Sequence, residues 1–183
     1  MRLQISIDQR ALQDVMPLLN EQVLALVGYE SSVSEAPDPV ERGAVRRFVQ
    51  ASMNEEPAYL SPDSAELDAP DLFPMNMFVR PFGTPDLLSD RAQDPDFDGA
   101  IAASMRNLPE LPLPSRVRLH GGYDIQIFRR AKVGERVRMK SKYIDITERQ
   151  GSKGPMVIAV VDTDYFTAEG APLLRVRNTG IYR

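Results

Sequence analysis

The strongest constraint on this 183-residue chain is the two-residue periodicity of its last third. Tyr123, Ile125 and Ile127 alternate with Asp124 and Gln126, Val137 and Met139 lead into Tyr143, Ile144 and Ile146, and residues 173–182 alternate again. Successive side chains of a strand point to opposite faces, so this pattern predicts a sheet with one face buried and one in water. Residues 156–161 are instead almost continuously apolar, which places 157–161 in the centre of that sheet. Glycine-bearing turns at Gly134, at 151–154 and at Glu169-Gly170 join four long strands into an antiparallel meander. A sheet of this kind needs a helix laid across its apolar face, so the fold class is α+β.

Two helices are marked upstream. Pro17 followed by LLNEQVLALVG fits a helix opened by proline in its first turn and closed by Gly28, and residues 29–36 then read as a first strand. In the second helix Asp38 is the expected cap, Pro39 sits in the first turn, Glu41 follows three residues after the cap, and Val45, Phe48 and Val49 share a face. Arg46 and Arg47 point away from that stripe, as solvated charges or as ligands for phosphate.

The middle of the chain is punctuated by prolines at 62, 70, 74, 81, 85, 95, 109, 112 and 114, which rules out one long uninterrupted helix. It holds an apolar stretch at 72–82 and a short helical candidate at 97–107. Met75, Met77, Phe78 and Phe82 read first as core; the alternative is a methionine-rich surface that adapts to a bulky acyl group, with Met75 and Phe78 binding substrate.

Length suits one domain over 1–183. A net charge of −4 with no basic stripe argues against nucleic acid. No apolar run is long enough for a membrane span or a signal peptide, and with no cysteine to form disulfides the default expectation is a cytoplasmic protein. One histidine cannot assemble a multi-histidine metal site, and no metal is expected. That residue, His120, reads either as a structural group at a strand start or, with Gly121 and Gly122, as a place where backbone approaches a ligand. Lys153-Gly154-Pro155 lacks the frame of a phosphate loop.

Residues 48–59, FVQASMNEEPAY, resemble the active-site loop of the MaoC-like (R)-specific enoyl-thioester hydratases, in which a helix ends in Gly-Asp-x-Asn-Pro-x-His. Anchored on Pro57, Asn54 stands at the aspartate position and Tyr59 at the histidine position, with their spacing kept. Neither is an acid–base group useful at neutral pH. Glu55 and Glu56 are the nearby carboxylates that remain, as solvated loop charges or as a replacement base. From Leu119 onward the chain is similar to the FAS1-like dehydratase domains of the same superfamily. The matching pieces are His120-Gly121-Gly122, the RAKVGER segment from Arg130 to Arg136, Gly154-Pro155-Met156, and Arg175-x-Arg177-x-Thr179.

The resemblance implies a hot-dog fold that pairs into a double hot dog on dimerisation. It also implies an acyl-CoA or acyl-carrier-protein thioester as substrate with no further cofactor, in fatty-acyl or steroid-side-chain metabolism. Because the loop is degenerate, it implies that this chain shapes the acyl tunnel while a catalytic hot-dog partner supplies Asp and His. The alternatives are a self-sufficient homodimeric hydratase or thioesterase using Glu55, Glu56 or His120, and a non-enzymatic thioester-binding scaffold.

Overall fold

A computed structural model describes residues 18–60, 67–86, 89, 93–95, 106–113, 117–152 and 154–183. Four long strands occupy the last third: β2 (Arg118–Ile127), β3 (Val137–Gly151), β4 (Gly154–Thr167) and β5 (Pro172–Tyr182). A two-residue strand, β1 (Ser34–Glu35), completes a five-stranded antiparallel sheet of order β1-β3-β4-β5-β2. β4 is central, as its apolar run predicts. The simple meander is corrected. β3, β4 and β5 are consecutive neighbours, but β2 pairs with β5 at the far edge, so the chain between β2 and β3 crosses the sheet.

The first helix is shorter than expected. Pro17 lies outside the described residues, and α1 (Glu21–Leu24) opens at Asn20, whose side chain accepts from the backbone N–H of Val23 at 2.9 Å. Gly28 does end that segment, with φ +86°. The second helix, α2 (Arg42–Ala51), begins at Glu41 rather than Asp38. Residue 40 exchanges backbone hydrogen bonds with the turn before β3, Val40 N–H to Glu135 O at 2.9 Å and Gly134 N–H to Val40 O at 2.8 Å. That tether keeps the chain extended for one more turn than the capping pattern suggests. A four-residue helix, α3 (Pro57–Leu60), and a 3-10 turn, Phe73–Asn76, follow. The 97–107 helical candidate lies outside the described residues except for its last two.

Two core clusters share the inner face of the sheet. In one, Val45 and Val49 of α2 pack with Val40, Phe73 and Met77 against Val137, Met139, Tyr165, Leu174 and Val176. Burying the two α2 valines stabilises this packing by about 1.5–3 kcal/mol each. In the other, Val23 and Leu108 cover Tyr143, Ile146, Val157, Ala159 and Val161 toward the opposite end of β3 and β4.

The outer face is a lattice of opposite charges. One row runs Glu30, Lys142, Asp162, Arg177, Asp124 across neighbouring strands, and a second runs Lys140, Asp164, Arg175. Arg177 and Arg175 each grip their aspartate through two nitrogens, with contacts of 2.7 and 2.8 Å to Asp162. No helix among the described residues is long and apolar enough to cross a membrane.

Candidate functional site

The loop after α2 is built by local bonds. Met53 adopts φ +51°, reversing the chain at the helix end, and Asn54 N–H returns to Val49 O at 3.0 Å. The Asn54 side-chain oxygen then accepts from Glu56 N–H at 3.0 Å, a side-chain turn that leads into α3. Pro57 opens α3, where its fixed φ and missing N–H cost nothing.

A second set of bonds ties this loop to distant parts of the chain. Arg130, just past β2, holds both carboxylate oxygens of Glu56 at 2.9 and 3.0 Å, contacts Asp71 at 2.7 Å, and donates to the Tyr59 phenol at 3.4 Å. Its hydrogen bonds to Glu56 and then Asp71 raise the Arg130 pKa further. Burial is the main reason the Tyr59 phenol is pushed above 10.0; Glu56, Asp71 and Asp68 add to the rise against the pull of Arg130. Tyr59 is therefore a neutral phenol at physiological pH, able to donate a proton into a hydrogen bond and unsuited to take one from water.

Beside the loop lies a cleft of about 890 Å³. Val45, Val49 and Leu67 give it apolar wall; Asn54, Glu55 and Tyr59 come from the loop; Arg42 and Arg46 come from one face of α2. The four-residue spacing of Arg42 and Arg46 sets two like charges side by side, which by itself costs a helix a few tenths of a kcal/mol.

The cleft thus unites Asn54, Tyr59 and Glu55, whereas Glu56 turns to Arg130 as its counter-ion. The other sequence candidates lie elsewhere. Met75 and Phe78 are half-buried against the α2-side core, and Phe78 meets the Tyr165 ring edge-on at 5.7 Å. Met77 is buried and Phe82 fully exposed. His120, Gly121 and Gly122 lie on edge strand β2, where the pairing with β5 shifts register. The exposed His120 ring stacks at 4.4 Å on Tyr123, and its Nδ1 is 3.3 Å from Asn178 Nδ2. A Cβ on Gly121 would come within 2.9 Å of Thr179 Cγ2, so the glycine there allows close strand packing. Arg47 lines a smaller groove on the other flank of α2. Among the described residues no group of three His, Cys, Asp or Glu side chains is placed to hold a metal ion. Sequence reading missed Arg130 as an organiser; its place at the start of RAKVGER was the available signal.

With this geometry in hand, the family model of the FAS1-like dehydratase domain region matches residues 25–176. The chain belongs to that family. Solved structures agree on the hot-dog fold. The ChsH1–ChsH2 complex from Mycobacterium tuberculosis superposes with a TM-score of 0.63 at 13% identity, covering 88% of each chain. A MaoC-like dehydratase from Rhodospirillum rubrum gives 0.52 at 16% identity, over 85% of this chain and 91% of that one. The C-terminally truncated HadBC (3R)-hydroxyacyl-ACP dehydratase complex from Mycobacterium tuberculosis gives 0.52 at 16% identity, over 85% and 96%. No curated protein matches at the level of sequence. Within this FAS1-like hot dog, β2 is an edge strand, and Val117, Leu119, Tyr123, Ile127 and Phe128 stand exposed on or beside it.

Proposed function

We propose that this hot dog is the acyl-thioester-binding subunit of a MaoC-like hydratase/dehydratase, with the acid–base pair supplied by a second hot-dog subunit. The observation that carries the reading is the pairing of Asn54 and Tyr59 in one cleft at the hydratase spacing. Adding water across a conjugated double bond needs a base for water and an acid for carbon. An amide provides neither, and a neutral phenol with a raised pKa provides no base and is a weak acid at best. The apolar wall of Val45, Val49 and Leu67 suits an acyl chain, and the guanidinium of Arg46 beside it suits the phosphates of a CoA or phosphopantetheine thioester. The open edge of β2 offers a strand for pairing with a partner sheet, and two of the structures that share this fold, ChsH1–ChsH2 and HadBC, are themselves complexes of unlike chains.

A second reading is favoured by Glu55, the carboxylate that does line the cleft: a self-sufficient homodimer using it as base. Crotonyl-CoA hydration by the purified chain separates the two. On the subunit reading turnover is 10² to 10⁴-fold or more below that of an intact hydratase, and rises when a hot-dog partner with Asp and His is added. Strong turnover by the chain alone, abolished in Glu55→Gln, would replace the subunit reading with the homodimer.

A further inference from the structure

The two side chains at the vacated acid–base positions are held so that each keeps a donor free while an acceptor lone pair is taken up inside the protein. Glu56 N–H can only donate, so the Asn54 atom 3.0 Å from it is the amide oxygen, and the NH₂ end is the one left over. A guanidinium likewise has donors and no acceptor, so the Arg130 contact at 3.4 Å occupies a lone pair of the Tyr59 oxygen and leaves its O–H free to donate. Among the described residues neither the Asn54 NH₂ nor the Tyr59 O–H has an acceptor, and both residues line the same cleft.

We propose that Asn54 Nδ2 and Tyr59 Oη form a donor pair that binds a carbonyl oxygen of the ligand, which on the reading above, and resting on it, is the thioester carbonyl. Replacing an aspartate by asparagine keeps the shape of the group and exchanges an acceptor oxygen for a donor. The same loop thereby turns from a site that activates water into one that grips a carbonyl without reacting with it. Burial keeps Tyr59 protonated, as this role requires. Arg130, itself anchored by Glu56 and Asp71, fixes the direction of the phenol in advance, and the neighbouring valines reduce competition from water.

Butyryl-CoA and its thioether analogue S-butyl-CoA test this directly, because they differ only in the carbonyl. Calorimetry on the protein as it assembles in solution should show butyryl-CoA binding tighter by about tenfold or more, the yield of two net hydrogen bonds. Tyr59→Phe removes one donor. Asn54→Asp removes the other while keeping the oxygen that accepts from Glu56. Each should narrow the preference by about three- to tenfold, and the double variant should erase it. In the infrared, the thioester C=O stretch of bound butyryl-CoA should fall in wavenumber with the wild type and not with the double variant. Equal affinity of the wild type for both compounds overturns the donor pair and leaves thioester binding standing. Binding of neither compound overturns both.

Discussion

Replacing Arg130 by methionine keeps most of the side-chain volume and deletes the charge that joins three separate segments. The guanidinium is 32% exposed and its partners Glu56 and Asp71 are 38% and 37% exposed, so the pairs are screened and each is worth at most about 1 kcal/mol. The two-nitrogen grip on Glu56 puts that pair at the upper end of this range. With Asp71 and the Tyr59 contact included, Arg130→Met should lose about 2 kcal/mol of stability. For a chain of this length that lowers Tm by roughly 4–8 °C. Thermal unfolding followed by circular dichroism measures the total, and a double-mutant cycle with Glu56→Gln should return a coupling of about 1 kcal/mol. Hydrogen exchange of the amides at 54–60 should quicken while exchange in β4 is unchanged. A loss under about 0.5 kcal/mol with additive variants would show that Arg130 does not hold the loop, and the preorganisation argued for Tyr59 would go with it.

Gly121→Ala should destabilise by about 1–3 kcal/mol, since its Cβ would meet Thr179 Cγ2 at 2.9 Å and the Thr179 carbonyl at 3.1 Å; an unchanged urea midpoint refutes the close packing of β2 on β5. The Glu30 carboxyl is held below its usual 4.5 by hydrogen bonds from Lys140 and Lys142. A lowered native pKa contributes stability above pH 4.5 that is lost as pH falls through the native value, so Glu30→Gln should flatten the acid limb of the stability profile, as should 1 M salt. An acid limb identical in wild type and variant would refute it. Restoring the dyad with Asn54→Asp and Tyr59→His should raise crotonyl-CoA hydration at least tenfold over the parent chain; no gain would mean that the loop does not stand where the hydratase loop does.

The parts of the fold legible in the sequence were those set by local side-chain pattern. Alternation located β2, β3 and β5, and the unbroken apolar run at 157–161 located β4 and placed it in the middle, because a central strand can bury residues on both faces. Strand order was not legible. Nothing local in 118–127 says that β2 skips β3 and pairs with β5, a choice made by the path between strands. The start of α2 was misread because Asp38 and Pro39 carry valid capping chemistry that the backbone bonds between Val40 and the 134–135 turn override. Within the site, Asn54 and Tyr59 could be found by spacing along one loop. Arg130 could not, because its partners lie 59 to 74 residues away in the chain.

The charge lattice on the outer face of the sheet has a consequence for how ligands and partners find this molecule. Paired opposite charges a few ångströms apart cancel as multipoles, so that broad face projects almost no field beyond a Debye length. Covering it would cost the desolvation of several ion pairs. Arg46 sits instead on α2, across the sheet and at the cleft, within a chain of net charge −4. Among the described residues of that face, Lys140, Lys142, Arg175 and Arg177 each have a carboxylate beside them and do not compete with the arginines at the cleft for an anion. An anion bound at the cleft, as proposed above, would therefore meet no rival cationic patch on the described part of this outer face.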